Sequence, residues 1–185
     1  MRLIIIHGAT STGKTTLAKK LAADIGVTPV LKDAYKERIF DTLKKPPNLV
    51  LWKHIELASW RHIYEQVRRA QANDEPIIIE GNFMGPQRRT ISKLIDPKDV
   101  IKEIYCYADQ GVIQQRYAHR YRSGARHKGH RDHLWYGKLV LDGLMSKIGL
   151  GNTRPLKLSH QVLKINTTDF AKVDYDKILA FVTAK

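Results

Sequence analysis

Residues Gly8 to Thr15 read Gly-Ala-Thr-Ser-Thr-Gly-Lys-Thr, directly after the apolar run Leu3-Ile4-Ile5-Ile6. This is the G-x-x-x-x-G-K-[ST] pattern of a phosphate-binding loop. It stands between a strand-like run and a segment whose Leu17, Ala18 and Leu21 recur at helical spacing. The pattern constrains the fold because such a loop must join the end of a buried parallel strand to the start of a helix. Gly8 and Gly13 permit positive φ and a close approach of backbone to phosphate. The amides of Ala9, Thr10, Ser11, Thr12 and Thr16 join theirs as an anion nest, backed by the positive end of the helix. Lys14 supplies a point charge for the β- and γ-phosphates. Thr15 offers its hydroxyl to the Mg²⁺ that bridges the same oxygens. ATP and Mg²⁺ are therefore the expected ligands of this loop.

Beyond the loop, apolar runs alternate with helical patterns along the chain. Strands are predicted at Leu3–Ile6, Val27–Leu31, Ile77–Glu80, Val100–Tyr107 and Gln161–Ile165. Helices are predicted at Lys14–Asp24, Ala34–Leu43, His54–Ala72, Gln87–Ile95, Asp109–Arg122 and Tyr175–Val182, with a further one in Leu134–Lys147. That alternation implies an α/β fold: a parallel sheet with helices on both faces and ligands at the carboxyl ends of its strands. Lys44-Lys45-Pro46-Pro47-Asn48 reads as a loop, since paired prolines cannot continue a helix. The 185 residues suit a single domain with a full core.

No apolar run approaches the length of a membrane span, and a single cysteine, Cys106, excludes an internal disulfide and suits a reducing cytoplasm. A formal net charge of +14 points to anionic ligands. Arg116, Arg120, Arg122, Arg126, Lys128 and Arg131 fall in one short stretch, interleaved with His119, His127, His130 and His133. Lys53, His54, Arg61 and His62 add a second basic region and point to an anionic small-molecule acceptor.

Asp33 follows the second predicted strand and stands where the next helix opens, which puts a carboxylate at the sheet edge beside the phosphate loop. A kinase acting on a hydroxyl needs such a group to orient it for in-line attack. Asp33 also suits the N-cap of that helix. Glu80 ends the third strand, where a carboxylate can orient Mg²⁺ or contact the acceptor; both roles stay open. Switch-GTPase signatures, Asp-x-x-Gly after the third strand and Asn-Lys-x-Asp, do not occur. Trp60 reads as core on its helix, whereas Trp52 and Trp135 lie near loops and suit the wall of an acceptor pocket.

The run Lys32-Asp33-Ala34-Tyr35-Lys36-Glu37-Arg38-Ile39-Phe40-Asp41 resembles a segment of the zeta-toxin and chloramphenicol-phosphotransferase-like kinases, a group of AAA-type ATPase-like P-loop kinases. Ile77 to Phe83 resembles their third strand, Arg116 to Asp132 their arginine-rich lid, and Asn166-Thr167-Thr168-Asp169 their loop beside the adenine. The resemblance implies a three-layer α/β/α P-loop fold with five parallel strands in the order 2-3-1-4-5. It also implies one kinase domain over residues 1–185, with a mobile lid at about 117–133. In that setting Arg120 and Arg126, then Arg116, reach phosphates, while Thr167 and Thr168 flank the adenine. Lys14, Asp33, Arg120 and Arg126 form the expected catalytic set, and Thr15 with Glu80 the Mg²⁺ site. Metal-stapled lids in related kinases use several cysteines and this stretch has none, so His127, His130 and His133 are expected beside phosphate.

The expected activity is transfer of the γ-phosphate of ATP to a small-molecule hydroxyl. Two alternatives stand beside it. The spacing Asp33-x-x-Lys36 is similar to the Asp-x-x-Arg of polynucleotide 5′-hydroxyl kinases, though lysine lacks the bidentate guanidinium and the chain shows no nucleic-acid-binding module. A regulatory ATPase without an acceptor would carry the same loop.

Overall fold

The computed structural model describes residues 1–130, 154–158 and 161–184. Arg131, His133, Trp135 and the helix predicted in Leu134–Lys147 lie outside them. Five strands form one parallel sheet: β1 (Arg2–Gly8), β2 (Val30–Leu31), β3 (Ile77–Gly81), β4 (Val100–Tyr107) and β5 (Val162–Asn166), in the order β2-β3-β1-β4-β5. This is the P-loop α/β fold with the strand order that the sequence resemblance implies. Ile4 of β1 lies opposite Ile78 of β3 and Lys102 of β4, so β1 occupies the centre with a neighbour on each side.

The helices are α1 (Lys14–Ile25), α2 (Lys32–Asp41), α3 (Leu49–Asn73), α4 (Gly85–Leu94), α5 (Gln110–Arg122) and α6 (Tyr175–Thr183). Strand periodicity decides the two cores. Leu3 and Ile5 point to one face of the sheet, where Trp60, Ile63 and Val67 of α3 and Ile91 of α4 cover them. Ile4 and Ile6 point to the other face, against Ala18 and Leu21 of α1 and Ile178 and Val182 of α6. Trp60 is thus a core residue, edge-on to Phe83 with ring centroids 5.0 Å apart.

Three of the shifts from the expected boundaries bear on the site. The second strand shrinks to Val30–Leu31, because only these residues pair with Ile79 and Glu80 of β3. α2 begins at Lys32 after an N-cap at Leu31, so Asp33 lies inside the first turn and is not the cap. α3 begins at Leu49 and not at His54, since the Asn48 side chain caps it by accepting the Leu51 amide proton at 2.9 Å. Its first turn exposes Leu49 and Val50, which hides the start from a periodicity argument. No helix among the described residues is long and apolar enough to cross a membrane.

Candidate active site

The phosphate loop spans the gap between β1 and α1, and its two glycines occupy positions that other residues would strain. Gly8 has φ 142, and a Cβ there would lie 2.0 Å from the carbonyl oxygen of Cys106 on the adjacent strand. Gly13 has φ 77, and a Cβ there would lie 2.1 Å from the Phe170 ring. Ser11 between them also takes positive φ, at 58. Two side chains brace the loop from within: Thr12 Oγ1 donates to the Ala9 carbonyl at 2.8 Å and Lys14 Nζ to the same oxygen at 2.6 Å. Ser11 Oγ is buried with no hydrogen-bond partner among the described residues.

Glu80 in β3 is buried beside this loop, and its Oε2 accepts a hydrogen bond from Thr15 Oγ1 at 3.1 Å. Burial raises the Glu80 pKa above the ordinary carboxylate value, with Asp33 adding to the effect; Lys14, Lys32 and the Thr15 hydroxyl act against it. The pair of oxygens is a donor set that suits a hard divalent cation, and such a cation would supply the countercharge that the buried carboxyl lacks. A solvent-exposed strand end is thereby excluded for Glu80.

On the acceptor side, the register Leu31↔Glu80 brings the start of α2 to the same sheet edge. Asp33 there is half-exposed and 3.2 Å from Lys32 Nζ. Partial burial works to raise its pKa, but Lys32, His130, Arg126 and Lys36 hold the carboxyl well below the usual carboxylate range. Lys32 and Lys36 are both buried and converge on Glu56 of α3, at 2.5 and 2.9 Å. Burial opposes the charge on each; Lys32, with two carboxylates, ends with a raised pKa, whereas Lys36 ends with a lowered one. Glu56 was not expected from sequence. Its signal was a lone carboxylate one turn from the core residue Trp60 in an otherwise basic run.

Two cavities meet over the loop. One of about 600 Å³ runs along Thr10 to Thr16 and is walled by Arg116, Arg120, Arg126 and Phe170. The second, about 300 Å³, is lined by Lys36, Trp52, Glu56, Asn82, Tyr117 and His130. Thr10, Lys14, Asp33, Glu80 and Arg126 line both. Trp52 therefore stands in the second cavity, as its position suggested, although it sits on α3 and not in a loop.

The lid residues divide into two groups. Arg116 on α5 donates through NH2 to the carbonyls of Thr167 (2.8 Å) and Thr168 (3.1 Å) and lies 4.4 Å above the Phe170 ring. Its NH1 is buried and has no partner among the described residues. The threonine hydroxyls serve the backbone, Thr167 Oγ1 donating to the Tyr107 carbonyl and Thr168 Oγ1 accepting the Asp109 amide proton. Arg120 and Arg126 line the larger cavity. His127 and His130 pair with Asp41 (2.9 Å) and Glu37 (2.8 Å) of α2. A carboxylate reached across the fold satisfies each ring, and spacing along the sequence could not show it.

A family model described as an AAA domain matches residues 3–138. The chain belongs to this AAA-domain family. The chain is similar to the solved structure of a candidate kinase from Chloroflexus aurantiacus J-10-fl. That likeness has 28% identity over 98% of this chain and 96% of the other, with a TM-score of 0.80. A sugar kinase from Janibacter sp. HTCC2649 shares the fold at 14% identity, with 97% and 90% of the two chains covered and a TM-score of 0.56. A gluconokinase from Sinorhizobium meliloti 1021 does so at 13% identity, 99% and 89% coverage and a TM-score of 0.55. No curated protein matches the AAA domain in sequence.

Proposed function

We propose that this AAA domain is a P-loop kinase that transfers the γ-phosphate of ATP to the hydroxyl of a small molecule. The observation that carries the reading is the junction of the two cavities. The residues lining both, Thr10, Lys14, Asp33, Glu80 and Arg126, are those that phosphoryl transfer between a nucleotide and a second substrate would need. The 28%-identical candidate kinase supports it. The Asp33 segment, the strand that carries Glu80 and the arginine-rich stretch favour the zeta-toxin and chloramphenicol-phosphotransferase-like group within such kinases.

The loop from Gly8 to Thr16 holds the triphosphate, and Lys14 leaves the Ala9 carbonyl to meet the γ-phosphate. Thr15 and Glu80 would hold Mg²⁺, which would supply positive charge against the phosphate oxygens. Asp33 accepts a hydrogen bond from the acceptor hydroxyl and aims it at phosphorus. With its pKa held low by Lys32 and its neighbours, Asp33 orients the hydroxyl and does not strip its proton early. That suits a loose transition state, in which the nucleophile needs little activation. Arg120 and Arg126 stabilise the charge that collects on the phosphoryl group and on ADP. Thr167 and Thr168 shape the adenine end through their backbone, with Arg116 locking their carbonyls.

Asp33→Asn tests the assignment, because it keeps the shape of the side chain and removes its charge. In a screen of hydroxylated metabolites for acceptor-dependent ATP consumption, the variant should lose about 100-fold or more in kcat on any acceptor that the native chain uses. The rise in melting temperature caused by a non-hydrolysable ATP analogue with Mg²⁺ should persist. Turnover unchanged in the variant would remove Asp33 from the reaction, and ATP consumption indifferent to every acceptor would favour a regulatory ATPase.

A further inference from the structure

A third cavity, of about 570 Å³, opens between the loop that follows α2 and the lid turn. Its walls are of two kinds. Phe40, Pro46 and Pro47 form an apolar side, and Lys44, Lys45 and Lys128 form a cationic rim, with Arg126 at one end. Asp41 is the one acid among the described residues of this lining, against three lysines and Arg126, so the lining carries net positive charge. Several like charges around one concavity raise the local concentration of anions, and a dianion gains more from them than a single carboxylate does. Arg126 is the link: it lines this cleft, the acceptor cavity and the nucleotide cleft alike.

We infer that this cleft takes the phosphate-bearing end of the acceptor, so that the hydroxyl compound phosphorylated by this chain is already a phosphate ester with an apolar body. The inference rests on the kinase reading and names the substrate class for the same site. The phosphate lies at Lys44, Lys45 and Lys128, and the apolar body lies against Phe40 and Pro47. A neutral sugar of similar size would leave both walls unused.

Phenyl phosphate is the probe, titrated into the full chain with the phosphate loop saturated by a non-hydrolysable ATP analogue and Mg²⁺. Melting temperature is the readout. Phenyl phosphate should raise it, benzyl alcohol should not, and inorganic phosphate should act more weakly than phenyl phosphate. In Lys44→Ala/Lys45→Ala, two exposed positions on a loop, phenyl phosphate should bind about tenfold more weakly or worse, while the shift from the ATP analogue stays. An equal response of native chain and variant to phenyl phosphate, or none from either, overturns the inference. So does a single-stranded oligonucleotide that binds through the same lysines with a steep loss in salt while phenyl phosphate does not bind, since the cleft would then serve a phosphodiester chain. Failure of the ATP analogue to shift the native chain would sink the kinase reading instead. The comparison of native chain and variant with phenyl phosphate alone would still decide the cleft.

Discussion

Gly13 carries two constraints at one atom. Its φ of 77 lies in the left-handed region, and the space a Cβ would need is filled by the Phe170 ring. Gly13→Ala should therefore combine backbone strain with overpacking, for a loss of about 2–4 kcal/mol in unfolding free energy. Binding of the ATP analogue should be lost with it, because the Gly13 amide opens the helix end that faces phosphate. A second variant separates the causes. Gly13→Ala/Phe170→Ala removes the clash and should recover part of the stability in a urea titration without recovering the nucleotide-induced rise in melting temperature. If the double variant is no more stable than the single one, the ring is not what excludes a side chain at this position. The loop itself was legible in the sequence because its geometry is local: the glycine spacing alone prescribes it. Phe170, by contrast, reaches Gly13 only because β5 runs beside β4 and returns the chain to the loop, and no local pattern encodes that.

Among elements, α2 holds the turn Lys128–His130. His127 pairs with Asp41, His130 with Glu37, and Gly129 lies against the Phe40 ring so closely that a Cβ would come 2.5 Å from it. From α3, Trp52 Nε1 donates to the Gly129 carbonyl at 3.0 Å. Gly129 in turn donates its amide proton to His127 Nδ1 at 3.0 Å, which assigns the remaining proton of a neutral His127 ring to Nε2, facing Asp41. Arg126, which lines all three cavities, stands two residues before this turn, so fixing the turn restrains Arg126. Trp52→Phe keeps a ring in the acceptor cavity and deletes the one bond to Gly129. The expected loss in global stability is about 1 kcal/mol, but trypsin should cut at Arg126 and Lys128 several times faster in limited proteolysis, since local opening governs cleavage. Native-like cleavage would show that the histidine pairs hold the turn without Trp52. The basic stretch was visible in the sequence as a charge cluster, and its helix α5 as a periodic pattern. Its attachment to α2 was not visible, because the partners Glu37 and Asp41 belong to another element and histidine spacing fits metal, phosphate or carboxylate equally well.

At the scale of the whole molecule, the parallel sheet was readable because its central strands are buried on both faces and run as unbroken apolar stretches. The polar residues inside that sheet were not readable as structure, and His7 and Glu103 show what they do. Both are fully buried on adjacent strands, with His7 Nε2 3.0 Å from Glu103 Oε1. The same carboxylate accepts the backbone amide protons of Leu156 at 2.6 Å and Leu158 at 3.1 Å, pinning residues 154–158 against the sheet with Leu156 in the core. Burial holds the His7 pKa below the ordinary histidine value against the pull of Glu103, and burial likewise holds His130 low. Glu103 goes the other way: burial opposes its charge, but the bonds from His7 and the two amides hold its pKa below the usual carboxylate value. The signs add. An unfolded histidine takes up a proton near pH 6.5, which the folded rings resist, so stability falls as pH drops through that value. Glu103 contributes a second loss at lower pH, once its carboxylate begins to protonate. Urea unfolding should therefore show a smaller free energy at about pH 5.5 than at about pH 7.5, and His7→Gln should flatten that difference. Glu103→Ala removes the carboxylate that accepts from a buried imidazole and from the amides of Leu156, Lys157 and Leu158, a loss of about 3–5 kcal/mol. The Leu156 and Leu158 amides should then exchange hydrogen well before those of β1, and equal protection of the two sets would show that the core contact of Leu156, and not Glu103, holds this segment to the sheet.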